Sequence, residues 1–173
     1  MQKKTLKERK KPQKRNNNTI MIEWRRLGDE EIVSRFSERE WNNIFFGIST
    51  DSELRERLQA DFVHGYIAYK EKKEPVAFAL LIEEIWRGKQ VQVHGGCWSG
   101  SAWDSYSAII TLIEQLFADG KAVRSQCSLD NERTTRFLKS VGFINHYTSD
   151  SYRHFWLPYN RFVNTAIYKR LHS

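Results

Sequence analysis

Two kinds of chemistry are written into the middle of this 173-residue chain. The first is proton transfer. In the run Gln90–His94 side chains alternate along an extended strand, so Gln92 and His94 share a face. An imidazole with a pKa near neutrality suits a general base, and His94 is the candidate; the competing assignment is a structural histidine bonded to a neighbouring backbone group. Glu84 and its neighbour Glu83, on the preceding apolar run, are second-choice carboxylates, and alternation turns one of the two to solvent. The second chemistry is anion binding. Val93, Gly95, Gly96, Trp98, Ser99, Gly100, Ser101 and Ala102 lie in a small-residue segment that feeds a helix. A helix start presents unpaired N–H groups and the positive dipole end, which hold a pyrophosphate without a lysine. Glycine there lets the backbone approach phosphate closely. The same segment also reads as an ordinary strand-to-helix turn. Further on, Asn131 follows a strand, and Arg133, Arg136 and Lys139 lie on the next helix, either reaching nucleotide phosphates or forming its solvated face.

Placing these groups requires a definite succession of elements. Ile20 to Leu27 alternates as a first strand. Residues from about Asp29 to Phe46 have helical spacing, and Asp51 to Phe62 forms another helix, capped by Asp51 or Ser52 and ended by Gly65. Tyr66–Tyr69, Val76–Ile85 and Gln90–His94 read as three strands joined by short turns, hence antiparallel neighbours. A helix over about Ala102 to Phe117 and a strand over Ala122 to Ser128 follow. The next helix has both ends marked. Asp130 or Asn131 caps it, Glu132 suits its positive end, Phe137, Leu138 and Val141 form its apolar stripe, and Gly142 ends it. Ile144–Thr148 and Tyr152–Leu157 are the last two strands. Beyond Pro158, the spacing of Phe162, Val163, Ala166, Ile167 and Leu171 predicts one C-terminal helix that packs on the domain or makes a dimer contact.

The order β-α-α-β-β-β-α-β-α-β-β over residues 20 to 157, with an Asn directly after a strand and Gly142-Phe143 closing the next helix, resembles the GNAT N-acetyltransferase superfamily. The resemblance implies an α/β (α+β) fold: a mixed central sheet of about six to seven strands flanked by helices, here with a C-terminal helix added. It implies acetyl-CoA as acyl donor, with Asn131 beside the pantetheine arm and the loop before Ala102 on the pyrophosphate. That loop usually reads Gln or Arg, two residues, Gly, one residue, then Gly or Ala. Here Gly100 and Ala102 are kept, but Cys97 stands at the Gln/Arg position. In the family a Glu or His on the central strand often serves as base, and a Tyr four residues before the Gly-Phe glycine often serves as acid. That last position is Leu138. The resemblance places acyl-CoA between the strands ending at His94 and at Cys127.

Composition and charge bound the remaining classes. Of 28 Lys and Arg, eight fall in residues 1–19 beside Glu8 alone, so this segment carries +7, while the rest balances at 20 of each sign. Residues 1–19 are read as a disordered basic tail, residues 20–157 as the domain, and residues 158–173 as a helical extension. The tail binds nucleic acid or another anionic surface without sequence preference, or is a solvated leader; Met21 is a second candidate start. No run approaches the ~18 apolar residues of a membrane span, and no secretory signal is visible, so a cytoplasmic, membrane-free protein is expected. Cys97 and Cys127 read as buried free thiols rather than a disulfide framework. The five histidines lack paired metal-ligand spacing, so no metal is expected. Two functions follow: an N-acetyltransferase acting on a small-molecule or protein amine, as monomer or homodimer, or a non-catalytic module of the same fold.

Overall fold

The computed structural model describes residues 22–28, 30, 50–58, 63–71, 74–84, 89–97 and 101–173. Seven strands form one sheet: β1 (Ile22–Arg26), β2 (Val63–Lys70), β3 (Glu74–Glu84), β4 (Gln90–Cys97), β5 (Ala122–Ser128), β6 (Ile144–Thr148) and β7 (Tyr152–Leu157). Their spatial order is β1-β2-β3-β4-β5-β7-β6. All neighbours are antiparallel except β4 and β5, which are joined by the helical crossover that a parallel pair requires. The described helices are α1 (Asp51–Leu58), α2 (Ala102–Ala118), α3 (Glu132–Val141), α4 (Tyr159–Val163) and α5 (Ala166–Leu171). None is long and apolar enough to cross a membrane.

Period-two alternation decides which face is covered. Ala79, Leu81, Val91, Val93, Val123, Cys127, Phe155 and Leu157 share one face of the sheet. They are buried in a single core with Ile110, Leu112, Ile113 and Leu116 of α2, Leu138 and Val141 of α3, Phe143, and Phe162 of α4. Ile167, Tyr168 and Leu171 of α5 pack on the same cluster. The Trp24 indole donates to the Ala108 carbonyl at 3.0 Å and ties α2 to the far edge of the sheet.

Several element boundaries differ from those expected. Gly65 does not end a helix: β2 starts at Val63, and Gly65 stands opposite Leu80 within the ladder. Pro75 lies inside β3, beside the register shift at Ala68/Tyr69. β4 continues through Gly95, Gly96 and Cys97, because Ala79, Phe78 and Ala77 of β3 pair with them; the apparent loop is shorter than its glycines suggested. α1 is capped by Thr50, whose hydroxyl accepts from the Glu53 N–H while the Glu53 carboxylate accepts from the Thr50 N–H, a reciprocal capping box. The C-terminal helix is two short ones, because Thr165 caps a new turn by accepting from the Tyr168 N–H. The helix expected over about residues 29–46 lies, apart from Glu30, outside the described residues.

Candidate functional site

The site is built on a local failure of pairing. β4 and β5 register only at Gln90/Ala122, Val91/Val123 and Gln92/Arg124, although β4 runs on to Cys97 and β5 to Ser128. Each strand keeps its other neighbour: β4 pairs with β3 through Cys97, and β5 pairs with β7 through Ser128. The two central strands therefore separate toward their C-terminal ends. Just past the last pair, the Ser125 hydroxyl donates to the Val93 carbonyl at 2.9 Å and bridges the start of the gap. Val93 itself is buried.

Gly95 and Gly96 are required by the opposite neighbour. A Cβ at Gly95 would lie 2.5 Å from the Phe78 carbonyl oxygen, and one at Gly96 would lie 2.7 Å from the Phe78 ring. These glycines let β4 lie tightly against β3, so its other edge stays turned to the gap. Trp98, Ser99 and Gly100 lie outside the described residues. Ser101 caps α2 by accepting from the Asp104 N–H at 3.3 Å, and Ala102 opens the helix. Asp104, 5 % exposed in that first turn, pairs with Lys70 of β2 at 3.3 Å. The positive end of α2 thus already has an internal carboxylate, itself offset by a lysine.

On the far side of the gap, Asn131 rather than Asp130 caps α3, accepting from the Thr134 N–H at 3.0 Å. Arg136 lies exposed on α3, and Arg133 is near enough to Cys97 for its charge to act on the thiol. Cys97 is exposed, contrary to expectation, whereas Cys127 is buried. The exposure belongs to the Cys97 residue as a whole; its sulfur is crowded enough that burial raises the thiol pKa, opposed by a Ser105 hydrogen bond and by Arg133. A thiol held protonated is a poor nucleophile. Below the gap, Cys127 Sγ lies 3.3 Å from Thr135 Oγ1, which also accepts from Arg153 at 2.9 Å. Arg153 pairs with Glu132 at 2.7 Å and so fixes the start of α3 to β7.

His94 is 6 % exposed, and burial lowers its pKa to about 4. Its Nε2 lies 2.6 Å from the Gln92 side-chain amide nitrogen. With that amide donating, the neutral ring carries its proton on Nδ1. Glu84 stands opposite Gln90, four positions before His94, so at 3.3 Å per residue the two are separated by about 13 Å along the strands. The structure brings His94 to the open end and leaves Glu84 at the paired end; Glu83 forms an ion pair with Lys121 at 3.0 Å. Leu138, at the position where the resemblance expects an acid, is buried in the core. Among the described residues no group of three His, Cys, Asp or Glu is arranged to hold a metal ion. A shallow cleft lined by Glu114, Phe117 and Tyr159 lies at the far end of α2 and includes none of the nominated residues.

Ser125, the Asp104–Lys70 pair and Arg153 were not found from sequence. Asp104 had a legible signal, an acid in a helix first turn. Ser125 and Arg153 had none, because their partners are set by sheet register.

The arrangement leaves backbone edges of β4 and β5 unpaired with each other beside the start of α2. No protein-family model matches the sequence, and no curated protein matches it. Solved structures do. An uncharacterized Bacillus halodurans protein aligns with a TM-score of 0.66 at 10 % identity, over 87 % of this chain and 89 % of that one. AAC(6')-Ib, solved with paromomycin and acetyl-CoA, aligns with a TM-score of 0.64 at 16 % identity, over 84 % and 97 %. The spermidine N-acetyltransferase of Vibrio cholerae, solved with CoA and spermine, aligns with a TM-score of 0.64 at 10 % identity, over 83 % and 98 %. What these likenesses establish is architecture: the chain has the mixed seven-stranded fold of those acetyltransferases.

Proposed function

We propose that this protein is an N-acyltransferase that moves an acetyl group from acetyl-CoA to an amine acceptor, a small molecule or a protein amine, by direct attack. The observation that carries the reading is the separation of β4 and β5 beyond Gln92 and Arg124, beside the start of α2. Acetyl-CoA, when bound, supplies the activated thioester. The β4 edge at Val93 and Gly95 offers backbone N–H and C=O groups to its amides. The Val93 carbonyl, already accepting from Ser125, has a second lone pair to share. Trp98, Ser99, Gly100, Ser101 and Ala102 would take the pyrophosphate, and Asn131 and Arg136 would flank the arm and the nucleotide phosphates. Asp104 opposes that anion, and Lys70 offsets Asp104, so the residues fit the arm better than the phosphates.

Transfer needs the amine deprotonated before it attacks the carbonyl, and a proton delivered to the leaving thiolate. Alignment of the two reactants supplies much of the rate. With its pKa near 4 the His94 ring is neutral at neutral pH, but the Gln92 amide occupies Nε2 and Nδ1 carries the proton, so His94 takes the amine proton only when Gln92 releases Nε2. Glu84 is the second candidate for that role.

A second reading, a binding module of the same fold without chemistry, is favoured by the burial of His94 against Gln92 and by Leu138 at the acid position. Calorimetric titration with acetyl-CoA followed by a screen of amine acceptors separates the two. Gly100→Val should weaken acetyl-CoA binding at least tenfold, about 1.4 kcal/mol, with the melting temperature kept. No acetyl-CoA binding by the native protein at millimolar concentration would reject both the enzyme and the cofactor site.

A further inference from the structure

The half of the sheet beyond the gap has one face in the core and one face turned outward. All four helices after β4 contribute to the core on the first face. The outward face carries two rows of register partners: Ile144, Trp156, Arg124 and Gln92 in one, and Tyr147, His154 and Gln126 in the other. Trp156 is 42 % exposed and Tyr147 is 48 % exposed. Tyr147 stacks on His154 with ring centroids 4.1 Å apart, and His146 meets Tyr147 edge-on. Arg124 makes no ion pair with a described residue. None of β4, β5, β6 and β7 contains an Asp or Glu, while they contain Arg124, Arg153 and three histidines.

An exposed tryptophan and tyrosine on one sheet face ordinarily invite a partner. The chemistry here selects which one. A cationic ligand finds no carboxylate on these strands. A second copy docked by two-fold symmetry would bring Arg124 and the histidines against their own images, with no acid on these strands to offset them. An anionic ligand with flat apolar rings satisfies both features: rings stack on Trp156 and Tyr147, and phosphates meet Arg124. The side chains of residues 154 and 156, on one face of β7, are about 6.8 Å apart at 3.4 Å per residue, so successive unpaired bases can each find a ring. Duplex bases are sealed inside their pairs and cannot. Residues 1–19, at +7, add a second cationic element to the same chain.

We propose that the outward face of β5, β7 and β6 is a docking platform for single-stranded nucleic acid, with Trp156 and Tyr147 as stacking residues and Arg124 as a phosphate contact. The proposal is independent of acetyl-CoA binding. It is tested by fluorescence anisotropy of the full chain with a labelled single-stranded oligouridylate of about 20 nucleotides, at two salt concentrations. Trp156→Ala and Tyr147→Ala should each weaken binding by about tenfold, and Trp156→Phe should restore most of it. Arg124→Gln should lower the slope of log affinity against log salt by about 1. Replacing the lysines and arginines of residues 1–19 with glutamine should weaken all of these proteins while preserving the ratio between native and Trp156→Ala. The proposal is overturned by absence of binding at ~100 µM protein in low salt. Equal affinity of the native and alanine proteins, or equal affinity for duplex, also overturns it. So does a native dimer, seen by light scattering, that Trp156→Ala dissociates, since the face would then belong to a second copy.

Discussion

Acid should unfold this protein through His94. A histidine that burial holds near pKa 4 titrates near 6.5 once unfolded, so between those values the unfolded chain binds a proton that the folded one refuses. Stability is fully retained above about pH 6.5 and falls as pH drops toward 4, at roughly 1.4 kcal/mol per pH unit in the steep part. Between pH 7 and pH 5 the linkage amounts to about 2 kcal/mol, and complete protonation raises it to about 3 kcal/mol. His64 and His154 are also lowered, chiefly by burial, and act in the same direction, so the native curve alone is not diagnostic. His94→Gln provides the comparison: it does not titrate and keeps a polar group beside Gln92. Urea denaturation of both proteins at pH 7 and pH 5 should show the native protein losing about 2 kcal/mol more than the variant. Equal losses would mean that the folded protein tolerates a charged His94, and the buried neutral imidazole would have to be abandoned.

On the activity of an identified acceptor, His94→Ala should lower turnover by roughly 10²–10⁴-fold with acetyl-CoA affinity little changed. The acid limb of the native pH–rate profile should lie near 4 rather than 6.5, and an unaltered rate in the variant would pass the role to Glu84 or to positioning alone. Gly142→Ala should destabilise by about 1–3 kcal/mol in urea, because Gly142 has φ +107° and an added Cβ would lie 3.1 Å from Thr165 Cγ2; a change under ~0.5 kcal/mol would contradict this. Lys70→Met leaves the buried Asp104 without its lysine and should cost about 1–3 kcal/mol, with a coupling of similar size in a double-mutant cycle with Asp104→Asn.

The parts of the structure that were legible in sequence are those governed by local rules. Gly142 closes α3 in the left-handed conformation, and Phe137, Leu138 and Val141 face inward or half-inward, as their spacing indicated. The mixed character of the sheet was legible through the resemblance, since periodicity alone does not choose neighbours. Boundaries failed where a distant strand overrode the local signal. Gly65 and Gly95 look like punctuation, yet Leu80 and Ala79 pair with them inside ladders. The candidate site divides in the same way. The glycine-rich approach to α2 and the Asn131 cap could be read directly. The hydroxyl bridge from Ser125, the burial of His94 and the lysine behind Asp104 arise from contacts over 30 or more residues of sequence, which no window of spacing encodes.

The Ser125–Val93 bond gives the sheet a mechanical character. A crack runs into it between β4 and β5, its tip at Gln92 and Arg124, and the serine acts as a rivet across the opening just behind the tip. Strands β1–β4 form one plate and β5–β7–β6 the other, sharing only three rungs, with α2 lying across the join. A molecule that bonded to both lips would carry tension across the crack, coupling the two plates into one cooperative unit. Amide hydrogen exchange should register that coupling on both sides of the crack at once, and Ser125→Ala should let the crack advance into the remaining rungs.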